Sequence, residues 1–433
     1  YNMRIFQTIL LMIFGIGLGL AVLIFSGAFS SGGPGGSGAI TLTVWGTVPA
    51  NRIDLFTREF NQRWRERFNI NYVFIPAEQF ESRYLEALAR DTNPDLIFFT
   101  DEMVVKYSDT IFPVPLANFP TRDFKDTFVT GSEIFLTATG VLAMPVAVDP
   151  LVMYVNKDLY TNAGLPLLPK TWTEFLQVLD NLNKIDERNN ILQSAVAMGE
   201  FSNNKNAGSI LETLIIQAGN PIVSKTASGY QVVLRESFGN TLSPAVAALN
   251  FFTQMADQSR STYSWNRAMP EAIDAFSAGI LANYFGLASD LSLLRNKNPN
   301  INLDVSVMPQ RNLNSDQVTK GRQLGLAVVR KSRNPSQAFE LSFILSSQTE
   351  AEKLTQAIGL PSARRDLLTK VATDAFSPVF NASALISRTW PDPDPRATEA
   401  IFKTMSESVL LKRVTVERAI TDANEQIANL FRK

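Results

Sequence analysis

The sequence predicts an α/β protein built from two doubly wound domains behind an N-terminal membrane helix, and three observations carry that expectation. At 433 residues the chain is too long for one ordinary hydrophobic core, so two domains are expected. Residues 40–108 alternate strand, helix, strand, helix, strand, the order that lays down a parallel sheet with helices on its faces. The stretch Met144–Asp158, MPVAVDPLVMYVNKD, reads as a strand leaving one domain, a hinge at Val148–Pro150, and a strand opening a second domain.

Ile5 to Phe29 is apolar apart from Gln7, Thr8, Ser26 and glycines. At about 1.5 Å per residue it would extend roughly 37 Å as a helix, enough to cross a bilayer with some tilt. Arg4 precedes it and no charge follows until Arg52, a bias that puts the N-terminal side in the cytoplasm and the bulk outside. The run is long for a cleaved signal and no A-x-A site follows, so an uncleaved signal-anchor is expected. Gly15-x-Gly17-x-Gly19 contains a GxxxG spacing that can pack such helices together. Ser30–Ala39, SSGGPGGSGA, is a flexible tether.

Ile40–Trp45 alternates as the first strand, and Ala50–Phe68 places Ile53, Phe56, Phe60 and Trp64 at helical spacing. Ile70–Ile75, helix Glu78–Asp91 and the short buried strand Pro94–Phe99 follow, with Asp101–Ser108 starting a helix. Asn156-Lys157-Asp158 caps a helix that Gly164 stops, and Thr171 with Glu174 three residues on forms a capping box for Thr173–Lys184. Further strands are expected at Ser194–Met198, Ile280–Phe285, Asn302–Pro309 and Gly321–Arg330, and a hairpin at Lys225–Leu234. Helices are expected at Ala207–Ala218, Ser243–Gln258, Asn334–Leu345 and Val416–Phe431.

Composition narrows the chemistry. Hydrophobic content of 45% and charge of 19% describe a globular chain, and a net charge of −1 gives no pull toward nucleic acid. There is no cysteine, hence no disulfide, thiolate metal site, cysteine nucleophile or lipidated N-terminal Cys. There is no histidine, which excludes Ser-His-Asp catalysis and His-ligated metals. No P-loop is present, and Asp392-Pro393-Asp394 lacks the glycine of a calcium loop, so no cofactor or metal is expected. Carboxylate chemistry stays open. In open α/β sheets ligands bind beyond the carboxyl ends of strands, and Asp149 is placed there, facing a cleft, or else is an ordinary turn residue.

The run Pro145–Lys170 and its continuation, P-x-A-x-D-P-L-x-M-Y-x-N-K-D-L-Y-x-x-A-G-L-P-x-x-P-K-T-W-x-E-F, resembles the sugar-binding (family 1) extracellular solute-binding proteins of ABC importers, the maltose-binding-protein-like group. The strand ending in Trp45, PDLIFF before a capped helix, the PEAIDAFSAG segment Pro270–Gly279 with the strand after it, K-S-x-N-P-x-x-A, and the closing Gly359-Leu360-Pro361 resemble the same group. The resemblance implies a two-lobe periplasmic-binding-protein-like fold (type II), with hinge crossings near Asp149, Leu324 and Pro361. Lobe 1 would hold 40–148 plus 325–363, and lobe 2 would hold 149–324 plus 364–433. It implies a non-enzymatic receptor outside the cell that captures a carbohydrate and presents it to ABC permease subunits; the helix expected at 5–29, which would tether it to the cell membrane, departs from that group, most of which carry a cleaved signal or a lipidated Cys.

Sugar rings have apolar faces and a rim of hydroxyls, so their sites need aromatic plates and in-plane carboxylate or amide groups. The candidates are Trp45 and Phe99 at strand ends, with core packing as the alternative; Asp101, with a helix N-cap as the alternative; and Glu102. Glu200 and Asn203 follow a second-lobe strand, while Phe285 and Asp290 lie where the Ile280–Phe285 strand reaches the cleft. Trp265, in a polar turn, is either a surface aromatic or a plate, and Trp390, amid prolines, is the best single stacking candidate. Two other functions fit the composition: a carboxylate-pair glycosidase, which needs no histidine, and a surface scaffold that kept the fold without a ligand.

Overall fold

The structure is a computed structural model that describes residues 38–226, 229–238, 243–314, 316–372 and 374–432. The expected membrane helix 5–29 and most of the tether 30–39 lie outside the described residues. Among the described residues no helix is long and apolar enough to cross a membrane.

One ten-stranded sheet runs through the molecule. Its order is Phe68–Phe74, Ile40–Gly46, Leu96–Thr100, Thr319–Val328, Met144–Asn156, Leu281–Leu287, Ile191–Val196 and Lys184–Ile185. Leu303–Val307 also pairs with Met144–Asn156, and Ser387–Arg388 with Thr319–Val328. The first three strands are parallel, as the alternating pattern predicts, and helix Ala50–Arg63 buries Ile53, Phe56 and Phe60, one stripe of its surface.

The break expected at Val148–Pro150 does not occur. Met144–Asn156 is a single strand of 13 residues, antiparallel to Thr319–Val328, and this pair carries the chain between the two halves. Proline is tolerated because its fixed φ already lies in the extended range. At Pro145 the ladder also slips: Gly325 faces Pro145, Leu324 faces Ala147, and Val146 is left over as a bulge whose carbonyl accepts from Ala363 N at 2.9 Å. The strand is buried on both faces, so it shows no hydrophobic alternation.

Cores lie on either side of this pair. The first half packs Phe99, Phe124, Phe128 and Phe135 in one cluster and Phe56, Phe60 and Phe68 in another. The second packs Trp172, Phe175, Phe252 and Phe285 in one, and Tyr154, Trp265 and Tyr284 in the other. The change of half expected at residue 364 comes later. Arg365 Nε still donates to Phe128 O at 2.8 Å, and Leu368 sits in a first-half core. Helix Ser377–Leu385 makes the transition, with Phe380 in a second-half core and Ala384 in a first-half one.

The capping box at Thr171 and Glu174 forms in full. A helix not expected from the sequence, Pro395–Leu410, starts at Asp394, whose side chain accepts from Ala397 N, with proline in its first turn.

Candidate functional site

A strand in the middle of a covered sheet should be dry. Arg322, on Thr319–Val328 and opposite Asp149 in register, has a side chain 53% exposed. A central-strand side chain stays wet only where the covering layers part, so Arg322 marks a cleft between the two halves, over the hinge strands. Both halves furnish its walls. Arg322 Nε lies 3.2 Å from Glu102 Oε1, in the turn after strand Leu96–Thr100 of the first half. Asp149 Oδ1 accepts from the backbone N–H of Ser289 at 2.9 Å, just past strand Leu281–Leu287 of the second. Burial pushes the Asp149 carboxyl above its ordinary range, opposed by the bonds from Ser289 and by the Arg322 charge.

Two residues before Arg322, on the same face of strand Thr319–Val328, is a buried cluster centred on Lys320. Its ammonium lies 2.8 Å from Glu212 Oε2, 3.1 Å from Thr389 Oγ1 and 4.0 Å from Asp101 Oδ2. Burial alone would lower the lysine pKa, but Glu212 and Asp101 overcome it and hold it above the usual value. Asp101 Oδ1 accepts from Gln323 N at 2.9 Å and Oδ2 from the Thr389 hydroxyl, so Asp101 caps no helix and stitches the first half to the hinge. Its carboxyl is raised by burial, against the pull of Lys320.

The turn before helix Pro395–Leu410 adds one carboxylate, Asp392, and the helix itself adds a second, Glu399. Asp392 Oδ1 accepts from Thr398 Oγ1 at 2.8 Å and from Asp394 N at 3.0 Å, and burial followed by repulsion from Glu212 pushes it up to about 7. Glu399 lies against the first turn of helix Ala207–Gln217, where a Cβ at Gly208 would collide with its carboxylate. Burial and Glu212 push Glu399 up to about 7 as well. Arg322, Lys320, Glu212 and Glu399 were missed from sequence, and Asp392 was weighed there only as a calcium ligand. A usable signal was present for the first two: two bases in one strand, TKGRQLGLAV, need a charged or wet surrounding. A separate hollow of about 670 Å³ opens beside Gly359–Ser362 and Ser377–Asn381, but no candidate residue lines it.

Residues 53–378 match the family model described as "Bacterial extracellular solute-binding protein". The chain belongs to this family. Members of it bind solutes and do not turn them over, so this solute-binding protein is not an enzyme. Among curated proteins, a binding protein of Brucella abortus (strain 2308) is 25% identical over 109 residues, 24% of this chain and 26% of the relative. The match thus spans about a quarter of that relative's length. Among solved structures, a cyclo/maltodextrin-binding protein complexed with maltotetraose superposes at TM-score 0.72 and 16% identity, covering 92% of this chain and 98% of that one. The sugar-binding protein MalE from Xanthomonas citri gives 0.72 and 18%, covering 91% and 98%. The cyclic alpha-maltosyl-1,6-maltose binding protein from Arthrobacter globiformis gives 0.73 and 14%, covering 91% and 99%. At these identities the likeness establishes the two-lobe fold of the solute-binding protein.

The structure brings Asp101, Glu102 and Asp149 together at the hinge. It does not bring the expected plates there. Phe99, Trp265, Phe285 and Trp390 are 0%, 0%, 2% and 3% exposed, and all four are core residues. Trp265 is no surface aromatic: its Nε1 donates to Asn203 Oδ1 at 2.9 Å, and Asn203 Nδ2 in turn donates to the carbonyls of Asn266 and Met269. Asn203 is thereby spent on holding that turn. Trp390 follows the short strand Ser387–Arg388, whose pairing with Thr319–Lys320 turns the indole into the core of Phe402 and Trp172, with Nε1 unpartnered among the described residues. Phe285 stands edge-on to Trp172 at 5.7 Å. Glu200 is buried and faces Arg267 at 3.3 Å. Asp290 accepts from Tyr284 OH at 2.8 Å and pairs with Lys205 at 2.7 Å. Trp45 keeps partial exposure at its strand end while packing on a first-half core.

Proposed function

We propose that this solute-binding protein captures a small carbohydrate in the cleft over Asp149 and Arg322 and presents it to the permease of an ABC importer. The observation that carries this is Arg322, a wet guanidinium on a central strand, flanked by a carboxylate from each side of the hinge. A guanidinium beside carboxylates offers donors and acceptors in one plane, the set that sugar hydroxyls use. The sugars named for the similar structures support the same class. The lobes 40–148 plus 325–363 and 149–324 plus 364–433, with the boundary after 363 drawn nearer helix Ser377–Leu385, would close on the ligand, which favours the closed state through contacts made only when both lobes meet. Residues 5–29 would anchor the protein in the cell membrane, with the soluble part outside.

The test is calorimetric titration with a panel of mono- and oligosaccharides, followed by Arg322→Ala. We expect binding by at least one sugar, stabilisation of about 2.7 kcal/mol at a hundredfold excess over its Kd, and a loss of at least about tenfold in affinity in the variant with the melting temperature unchanged. Equal affinity in Arg322→Ala would place the site elsewhere. For the anchor, deleting residues 5–29 should move the protein from the membrane to the soluble fraction; retention at the membrane would refute it.

A further inference from the structure

Helix Ala50–Arg63 begins beyond the carboxyl end of strand Ile40–Gly46, and helix Asp290–Lys297 beyond that of Leu281–Leu287. Ligand clefts open at such ends, and these two belong to different halves. Ile53 and Phe56 seat the first helix in a first-half core, and Leu294 seats the second in a second-half one. Neither element is one of the crossing strands, yet their first turns meet. Arg52 Nη2 donates to Ser292 Oγ at 2.6 Å.

The rest of the guanidinium is tied to its own half. Arg52 Nη1 donates at 3.2 Å to the carbonyl of Ile358, the last residue of helix Gln348–Ile358, where a cation also meets the negative end of the helix dipole. Ile358 sits in the same first-half core as Ile53. The planar fork is therefore fixed at one nitrogen by the first half and offers another to the second. Beyond Ser292 the bonding continues into the site. Ser292 Oγ donates to Ser289 O at 3.3 Å, and the Ser289 N–H is the donor that holds Asp149 Oδ1 at 2.9 Å. A cation of the first half thus steadies the turn of the second half that holds the cleft carboxylate.

Ladder bonds between the crossing strands lie near the axis about which the halves can turn, so they survive a rotation. A bond between helix starts off that axis does not, because it is gone once donor and acceptor part beyond about 3.5 Å. We propose that Arg52 is a latch: it joins the halves only in the arrangement in which the two helix starts touch, and in doing so it positions the Ala288–Ser292 turn against Asp149. This rests on the cleft placed above at Asp149 and Arg322, and it couples the angle between the halves to the order of that cleft.

The chain has no cysteine, so Glu78→Cys and Ala400→Cys, at exposed positions on helices of different halves, accept a pair of spin labels. Pulsed dipolar spectroscopy on the ligand-free protein reads the distance between the halves, and amide hydrogen exchange reads the Ser289 N–H. Arg52→Ala and Ser292→Ala should each lower the ratio of joined to parted halves by about tenfold and speed Ser289 exchange by about as much, the effect of one hydrogen bond to a charged group. The double variant should go no further than the stronger single one, because both remove the same bond. Ser292→Ala deletes one hydroxyl from a half-buried turn, which keeps the test open if Arg52→Ala fails to fold. Unchanged distances in both variants overturn the latch. A change in Arg52→Ala without one in Ser292→Ala overturns it too, since Arg52 would then act through Ile358 inside its own half. Distances that move while Ser289 exchange stays the same overturn the positioning of the Asp149 turn. No sugar enters these measurements, so the carbohydrate assignment stands or falls separately, on the calorimetry above.

Discussion

At the scale of single residues, Asp392 is the clearest case of a side chain held against its own chemistry. It is buried, its carboxylate oxygen already accepts from Thr398 and Asp394, and its pKa is pushed up to about 7. In the unfolded chain it would titrate near about 4. The folded state therefore holds the proton more tightly, and stability falls as pH rises from about 4 to about 7 and stays low above. A tenfold difference in proton affinity is worth about 1.4 kcal/mol, and relaxation and water penetration reduce the whole loss to on the order of 2 kcal/mol. Asn keeps the accepting oxygen and cannot ionise. Asp392→Asn should thus raise the melting temperature of the ligand-free protein above pH 7 and leave it nearly unchanged at pH 4. An equal change at both pH values would mean that Asp392 is not the titrating group.

At the scale of elements, local signals were legible and side-chain direction was not. The capping box at Thr171 was legible because it depends on four consecutive residues, and it forms as expected. Thr171→Ala should cost about 1 kcal/mol in urea unfolding, and a loss under about 0.3 kcal/mol would show that the helix is held by Trp172 and Phe175 alone. The parallel strands at the start of the chain were legible for the same reason. The long hinge strand looks like two because proline normally argues against a central strand; the bulge at Val146 that accommodates Pro145 depends on Ala363, a partner more than two hundred residues away. Trp390 shows the limit more sharply. Its neighbours Pro391 and Pro393 mark a rigid turn, but the side on which a turn presents its indole is decided by the pairing of Ser387–Arg388 with Thr319–Lys320. In the site, Asp149 could be placed because it ends a recognisable run, while Glu399 could not, since only helix packing brings it against Gly208.

At the scale of the whole molecule, the two halves share a sheet, so they communicate through the strands between them and through the charges that bridge those strands. Lys320 is the principal bridge. It lies on the hinge strand, touches Glu212 of the second half at 2.8 Å, reaches Asp101 of the first at 4.0 Å, and meets Thr389 beyond the helix that forms the third connection. Gln323 reinforces the same place, accepting from Ser132 Oγ at 2.9 Å and donating to the Ser387 hydroxyl at 3.3 Å. Removing the ammonium would strand buried carboxylates on both sides of the hinge, a change that costs about 3–5 kcal/mol. Lys320→Met fills the same space without the charge, so the loss can be assigned to the stranded carboxylates. We expect that loss in urea unfolding, and we expect scanning calorimetry to show a broadened or split transition, because each half keeps its own core once the bridge between them is gone. Adding Glu212→Leu should restore part of the stability by removing one stranded charge. A single sharp transition within about 1 kcal/mol of the wild type would mean that the continuous backbone ladder, and not the ion cluster, couples the halves.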